Sequence, residues 1–307
     1  MGNQVFDVVV IGSINMDYVT LTNRLPQKGE TVTGHSFRAS AGGKGANQAV
    51  AAARLGARTA ILGCVGDDAI GQTLRASLAS NQVNCDSLTT APAGQSTGVA
   101  MVVVDDSGAN MIVVAPGSNG MMTPDTIASS QQLIERASVV ALQLEIPLEA
   151  TLFAATTAHL LGKTVVLNPA PAQALPDELL SSIDYLVPNE SEASALSGIK
   201  VDSIESATEA AKVLIKRGVP NVLITMGELG VLCLTAAGAT HHPAKAVQAV
   251  DTTAAGDTFI GGLCCSLARG EGLDAAIEFG QAAAAISVTR HGAQASIPYL
   301  RELSSSP

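Results

Sequence analysis

The sequence predicts an α/β protein: a doubly wound, mostly parallel sheet flanked by helices, carrying a small antiparallel β-sheet lid. Three observations predict it. Short apolar runs recur along the chain with helical stretches between them, the rhythm of an open parallel sheet. The chain is 47% hydrophobic but only 3% aromatic and has no Trp, so its core is built from Val, Leu, Ile and Ala, which suits strands covered on both faces by Ala-rich helices. Two segments break the rhythm with short alternating patterns and no helix.

In chain order, Phe6–Ile11 reads as a buried strand ending at Gly12. Asp17–Ala41 is the first break. Within it Tyr18–Thr22, Glu30–Thr33 and Ser36–Ser40 read as strands around a Pro-Gln-Lys-Gly turn. Asn47–Leu55 reads as a helix stopped by Gly56, and Ala60–Val65 as the next strand. The second break is Gly98–Val104 and Met111–Ala115, a hairpin around Asp-Asp-Ser-Gly. Strand patterns follow at Val139–Leu144, Thr164–Leu167, Tyr185–Val187 and Val222–Thr225, and Ile204–Arg217 has helical spacing ending at Gly218. The expected division is a core of residues 1–14, 42–97 and 116–307 and a discontinuous lid of residues 15–41 and 98–115. A sheet with one apolar face must be covered, so the lid closes over a site, pairs two subunits, or does both. Ser304–Pro307 reads as a frayed tail.

The formal net charge is −10 and no run of Lys or Arg occurs, which excludes an extended nucleic-acid footprint or a basic membrane surface. Any phosphate must be held locally. With no basic leader and no bilayer-length apolar stretch, the expectation is a cytoplasmic protein. Cys64, Cys85, Cys233, Cys264 and Cys265 form no Cys-x-x-Cys pair and read as small buried hydrophobes. His241 and His242 read as turn residues without metal-ligand spacing.

Three constellations carry polar chemistry. Ala41-Gly-Gly-Lys-Gly-Ala-Asn47 precedes a helix. It lacks the spacing of a P-loop, yet its glycines allow close backbone approach and expose N–H groups. Lys44 offers a charge, and Asn47 a donor and an acceptor. The alternative is a Gly-rich turn with a solvated Lys. Ala254-Ala-Gly-Asp257 opens a small-residue helix. Asp257 is there either an N-cap or an acid–base group beside an anion hole of helix N–H groups. Gly12-Ser-Ile-Asn-Met-Asp17 follows the first strand, where doubly wound folds bind ligands. Asn15 and Asp17 suit vicinal hydroxyls or an Asx-rich turn. Glu145, after an apolar strand, is a carboxylate in need of a partner.

In this order and spacing the motifs resemble the ribokinase-type sugar kinases over nearly the whole chain. Gly42–Ala52 is similar to their N-terminal signature and Asp251–Phe259 to their C-terminal one, joined by Asn168-Pro-Ala-Pro-Ala172, Asn189-Glu-Ser-Glu192 and Arg290-His-Gly-Ala-Gln294. Where the wider family usually has Gly-Ala-Gly-Asp, this chain has alanine at 254.

The resemblance implies transfer of the ATP γ-phosphate to the 5-hydroxyl of D-ribose, or of another small sugar such as 2-deoxyribose, in a dimer paired through the lid. It makes Asp257 the base, with the N–H groups of Ala254, Ala255, Gly256 and Asp257 as the anion hole. Asn15, Asp17, Gly43, Lys44, Asn47 and Glu145 would hold the sugar. Asn189, Glu192, Thr225, Gly227, Gly230, Gly256 and Gln281 would surround the nucleotide, with Met226 and Glu228 uncommon in that loop. Mg²⁺ would arrive with ATP. Asp251, Thr253, Ser287, Arg290, Gly292 and Ser296 would enclose a K⁺ ion. Two other classes compete: a sugar sensor that kept the fold, against which the intact motifs argue, and a Rossmann dehydrogenase, against which the missing G-x-G-x-x-G argues.

Overall fold

The structure, a computed structural model, describes residues 5–303, so the expected tail 304–307 lies outside the described residues. Its strands, in chain order, are β1 (Phe6–Ile11), β2 (Asn15–Thr22), β3 (Ser36–Gly42), β4 (Thr59–Leu62), β5 (Cys64–Val65), β6 (Thr89–Thr90) and β7 (Gly98–Asp105). They continue with β8 (Asn110–Ala115), β9 (Ala137–Leu142), β10 (Thr164–Leu167), β11 (Tyr185–Leu186), β12 (Asn221–Thr225), β13 (Val231–Thr235) and β14 (Gly238–His242).

Eight of them form the main sheet in the order β14-β13-β12-β11-β10-β9-β1-β4. The six strands from β12 to β4 run parallel, and β13 and β14 are antiparallel additions at one edge. Central strands such as β1 and β9 are apolar on both faces because helices cover both. One face carries a core including Val9, Val140 and Leu167 under the helix Leu148–Leu160. The other packs Val8, Val10 and Ala141 against the helices Lys44–Arg54 and Ala255–Ala268. Among the described residues, no helix is long and apolar enough to cross a membrane.

β1 occupies the middle of the reversal in strand order, and the strand crossings there put Gly12–Asp17, Gln143–Glu145 and Asn168 at one carboxyl edge of the sheet. Two helices point their N-termini at this edge. The helix Lys44–Arg54 starts three residues before the expected Asn47, because Gly43 can take φ 87°. A side chain at 43 would press its Cβ to 2.7 Å from Asn15 N, and one at Gly45 would meet Gly12 C at 2.7 Å. These glycines let two loops cross in contact.

The smaller sheet has the order β3-β2-β7-β8. It is antiparallel in its β2–β3 and β7–β8 pairs and parallel where β2 meets β7, since both leave the core side by side, Asn15 opposite Gly98. Asp105 closes the β7–β8 turn by accepting from the Ser107 and Ala109 N–H groups. The strand expected at Glu30–Thr33 does not form. That segment finds no strand partner and lies exposed, with Glu30 paired to Arg24. Every residue of β8 is exposed, Val113 by 68%, and Phe37 stacks on Tyr18 at 5.9 Å.

Other boundaries move for local reasons. The strand expected at Ala60–Val65 splits at Gly63, beyond which β5 leaves to pair with β6. The strand expected at Val139–Leu144 is displaced to Ala137–Leu142, and Leu144 N then donates to Ala170 O at 3.0 Å. Glu145 therefore sits in a bend, not at a strand end. His241 and His242 are not in a turn: they close β14, opposite Leu232 and Val231, because residues 235–238 make the reversal. Four of the cysteines are buried, Cys85 is half-buried, and all are free thiols.

Candidate active site

The carboxyl edge of the sheet opens into a cleft of about 200 Å³ lined by Lys44, Asn168, Asn189, Glu192, Thr225 and the Ala254–Asp257 turn. Asp257 forms its floor. The helix Ala255–Ala268 is entered through Ala254 in the left-handed conformation, φ 59°, an uncommon setting for a residue with a Cβ. Ala254 O then accepts the Thr258 N–H and hydroxyl, both at 2.8 Å. The residue in the cap position is thus Ala254, and the reading of Asp257 as an N-cap is overturned. Asp257 stands three residues further in and turns its carboxylate toward the neighbouring helix.

That carboxylate is buried and accepts two amide hydrogen bonds from a neighbouring helix: Asn47 Nδ2 to Oδ2 at 3.0 Å and Gln48 Nε2 to Oδ1 at 3.0 Å. Burial raises its pKa above the usual carboxylate value, against the opposing pull of Lys44, Asn47 and Gln48. Burial also disfavours the Lys44 ammonium, but Asp257, Glu145, Glu192 and Asp17 outweigh it and hold that pKa above normal. One cation thus serves four carboxylates.

The first turn of a helix leaves N–H groups without intrahelical acceptors. Here Ala255 N donates to Thr252 O at 3.1 Å, so it is spent. The cleft also borders Gly256, where a Cβ would meet nothing within 4 Å. Space in front of Gly256 and the positive helix end favour an anion there. The Gly-rich turn behaves differently from the expectation that it bares N–H groups. Lys44 N donates to Glu145 Oε2 at 3.1 Å, Gly45 N to Ser13 Oγ at 3.3 Å and Ala46 N to Ser13 O at 2.9 Å. Its backbone binds the protein itself, leaving the Lys44 side chain at the cleft and the Asn47 side chain buried against Asp257.

Glu145 finds its partners in Ser13, whose hydroxyl donates at 2.5 Å, and Lys44 N. Asn15 is buried, and its Oδ1 accepts from Asn119 Nδ2 at 2.7 Å. Asp17 is drawn to a pKa of about 7 by burial and by the charges of Glu145 and Asp257. Asn47 Oδ1 is buried with no hydrogen-bond partner, an acceptor awaiting a donor.

Asn189 and Glu192 form a reciprocal capping box on the helix Glu190–Ser197. Glu192 N donates to Asn189 Oδ1 at 2.8 Å and Asn189 N to Glu192 Oε2 at 2.9 Å. Burial raises the Glu192 pKa despite this. Thr225 ends β12 at the cleft, and the following loop uses positive φ at Gly227 (50°) and Gly230 (93°). A Cβ at Gly230 would approach His242 O to 2.1 Å. Gln281 lies away from the cleft lining and donates to His242 O at 3.0 Å, tying that loop to the helix Leu273–Ser287.

The residues expected around a cation gather beside the Ala254 turn. Val250 N donates to Val288 O at 2.7 Å, and Asp251 Oδ2 accepts from Gly292 N at 2.9 Å. The Asp251 Oδ1 accepts from Thr253 N and its hydroxyl at 2.9 and 2.5 Å. Burial opposes this charge, but those donors win and hold its pKa below normal. Ser287 and Ser296 spend their hydroxyls on Ala284 O and Ala293 O, and Arg290 pairs with Glu302. Side chains there are occupied, so a cation would be met by backbone oxygens.

Sequence reasoning missed Ser13, Gln48, Asn119, Gln143 and Asn168 as site-builders. Gln48 adjoins Asn47 on a helix start and Ser13 lies inside a motif already singled out. Asn119, in a short 3₁₀ segment, offered no signal.

Comparison with known proteins places this fold in a family. The model of the pfkB family carbohydrate kinases matches residues 5–300. A ribokinase of Haemophilus influenzae is 45% identical over 96% of this chain and 96% of its own. A deoxyribokinase of Salmonella typhi is 37% identical over 96% and 97%. The structure of Arabidopsis thaliana ribokinase complexed with ribose and ATP superposes with a TM-score of 0.92 at 32% identity, covering 98% of each chain. The chain therefore belongs to the pfkB family of carbohydrate kinases.

Proposed function

We propose that the protein phosphorylates D-ribose at its 5-hydroxyl with ATP, giving D-ribose 5-phosphate, and that Asp257 is the general base. The observation that carries the reading is the placement of Asp257: a buried carboxylate, steered by Asn47 and Gln48, lining a cleft into which a helix N-terminus and the Lys44 ammonium bring positive charge. As the hydroxyl oxygen bonds to the γ-phosphorus, its proton passes to Asp257 and the bond to the ADP oxygen breaks. Positioning and charge stabilisation are the main demands of this chemistry. Lys44 and the N–H groups of the 254–257 turn meet the transferring oxygens, Ala255 supporting the turn through Thr252.

Asn15, Asp17, Gly43, Lys44, Asn47 and Glu145 hold the sugar, whose hydroxyls give the Asn47 Oδ1 its missing donor. Asn189, Glu192, Thr225, Gly227, Gly230 and Gly256 border the nucleotide. Gln281 supports the nucleotide loop through His242. Among the described residues no group of three His, Cys, Asp or Glu could hold a metal ion. Asn189 and Glu192 are the oxygen-bearing side chains at the cleft that would face Mg²⁺ carried in on ATP phosphates, where it would offset phosphate charge.

The 250–253 and 287–292 segments, tied through Asp251, fit a K⁺ ion held by carbonyl oxygens that sets the shape of the adjoining turn. Rates should rise with K⁺; equal rates in K⁺-free and K⁺ buffers would remove this assignment. The 15–41 and 98–115 lid, with β8 fully exposed, pairs two subunits in a homodimer. A monomer by sedimentation at micromolar concentration would contradict that. Cytoplasmic location fits the absence of basic and membrane-spanning segments among the described residues.

The deciding experiment is ATP consumption against ribose, 2-deoxyribose, fructose and nucleosides. Ribose should give the highest kcat/KM. A preference for 2-deoxyribose would move the protein to the related sugar kinase reading, and no turnover on any of them would end the kinase reading.

A further inference from the structure

Three amide side chains outside the expected site form a row where the carboxyl ends of β9 and β10 meet the first turns of the helix Lys44–Arg54. Gln143 follows β9, Asn168 follows β10, and Gln48 lies in the helix Lys44–Arg54. Gln143 and Gln48 are fully buried and Asn168 nearly so.

Their hydrogen bonds have one direction. Asn168 Nδ2 donates to Val187 O at 3.0 Å, which leaves its Oδ1 facing Gln48. Gln48 Nε2 reaches that oxygen at 3.4 Å and the Asp257 Oδ1 at 3.0 Å. Gln143 Nε2 donates to Gln48 Oε1 at 2.6 Å. An amide group has one donor end and one acceptor end. Gln143 therefore occupies the acceptor end of Gln48, and Asn168 takes its second hydrogen. Both neighbours leave Gln48 a single orientation, with N–H directed at Asp257. The chain ends in a cost: Gln143 Oε1 is buried without a partner. Buried orphan acceptors are uncommon and call for an explanation.

We propose that Gln48 and Gln143 are positioning residues that lock an amide donor onto Asp257, so that the base is held both in place and in its ionised form between turnovers. The proposal rests on Asp257 being the base. The orphaned Gln143 oxygen is the consequence of keeping its donor end on Gln48. The charged groups around Asp257 are Lys44, which favours its ionised form, and Glu145, Asp17 and Glu192, which oppose it. One cation faces three competing carboxylates, so neutral donors matter to the outcome.

The test is the pH profile of kcat and kcat/KM for Gln143→Glu and Gln143→Met, beside wild type and Asp257→Asn. Residue 143 makes no hydrogen bond to Asp257, so it can act only through Gln48 or its charge. Gln143→Glu accepts from the Gln48 amide and turns its oxygen toward Asp257. The acid limb should then move up by about one pH unit, a tenfold change in proton affinity. Gln143→Met carries no charge and only frees Gln48; the same limb should move the same way by less, with KM for ATP within about twofold of wild type. Gln143→Met carries the test if the Glu variant fails to fold by circular dichroism. A folded Gln143→Met whose profile superimposes on wild type overturns the proposal, and so does a rate loss equal at every pH. If Asp257→Asn keeps near-normal rate, the base assignment has failed instead.

Discussion

Asp251 and Asp257 are the same side chain at the two ends of one turn, and the protein treats them in opposite ways. Asp251 is bonded by three hydrogens from Thr253 and Gly292, and its pKa is depressed. Asp257 is more deeply buried, receives two amide donors, and its pKa is raised. The first carboxylate stabilises the turn as a clamp. The second is kept basic and reachable from the cleft, at a cost to folding. A charge tied down by its own turn and the charge proposed as the base thus differ in donor count and burial, not in residue type.

The sharpest way to break the comparison is to neutralise each in turn. Asp257→Asn should lower kcat by at least ~10²-fold, as loss of a general base does. It should leave the thermal midpoint unchanged or higher, since it removes a buried charge. A variant with near-normal kcat would show that the raised carboxylate is not the base.

Asp251→Ala should act on stability. Removing an acceptor of several hydrogen bonds to a charged group costs about 2 kcal/mol, read as a lower denaturant midpoint. An unchanged midpoint would mean that Asp251 is no clamp. The sign of its pH dependence follows. With its folded pKa depressed, Asp251 contributes stability above the unfolded value, and that contribution is lost as pH falls through the folded pKa. Asp257, with its pKa raised, contributes the other way: protonation favours the folded state, and this is lost as pH rises through its folded pKa.

The smallest expected effect belongs to Asp17, poised at about 7. Its ionised form accepts sugar hydroxyls better, so KM for the sugar should rise a few-fold as pH falls below about 7 while KM for ATP stays level. A flat sugar KM between pH 8 and 6 would remove Asp17 from the sugar contacts.

How much of this was legible in the sequence depends on whether a property is local. Thr164–Leu167 was read at its observed bounds because a short β-branched run is its own signal. Glu30–Thr33 reads as a strand just as well, yet a strand needs a partner, and the chain supplies none there. Asp257 could be named from its turn, but its setting could not. Whether it capped its own helix was decided by φ at Ala254 and by two amides 209 and 210 residues away. Gln143 gave no signal and Asn168, though inside a quoted motif, gave no role, for the same reason: an amide's orientation is fixed by neighbours on other elements.

Ala254 has a practical consequence. An attempt to make this enzyme heat-resistant by restoring the commoner residue at each position would select Ala254→Gly early, because glycine takes φ 59° without penalty. That single change would relax the backbone joint that aims the helix opening at the cleft. Durability and turnover would then compete at one Cβ, and a selection for either alone would mislead the engineer about the other.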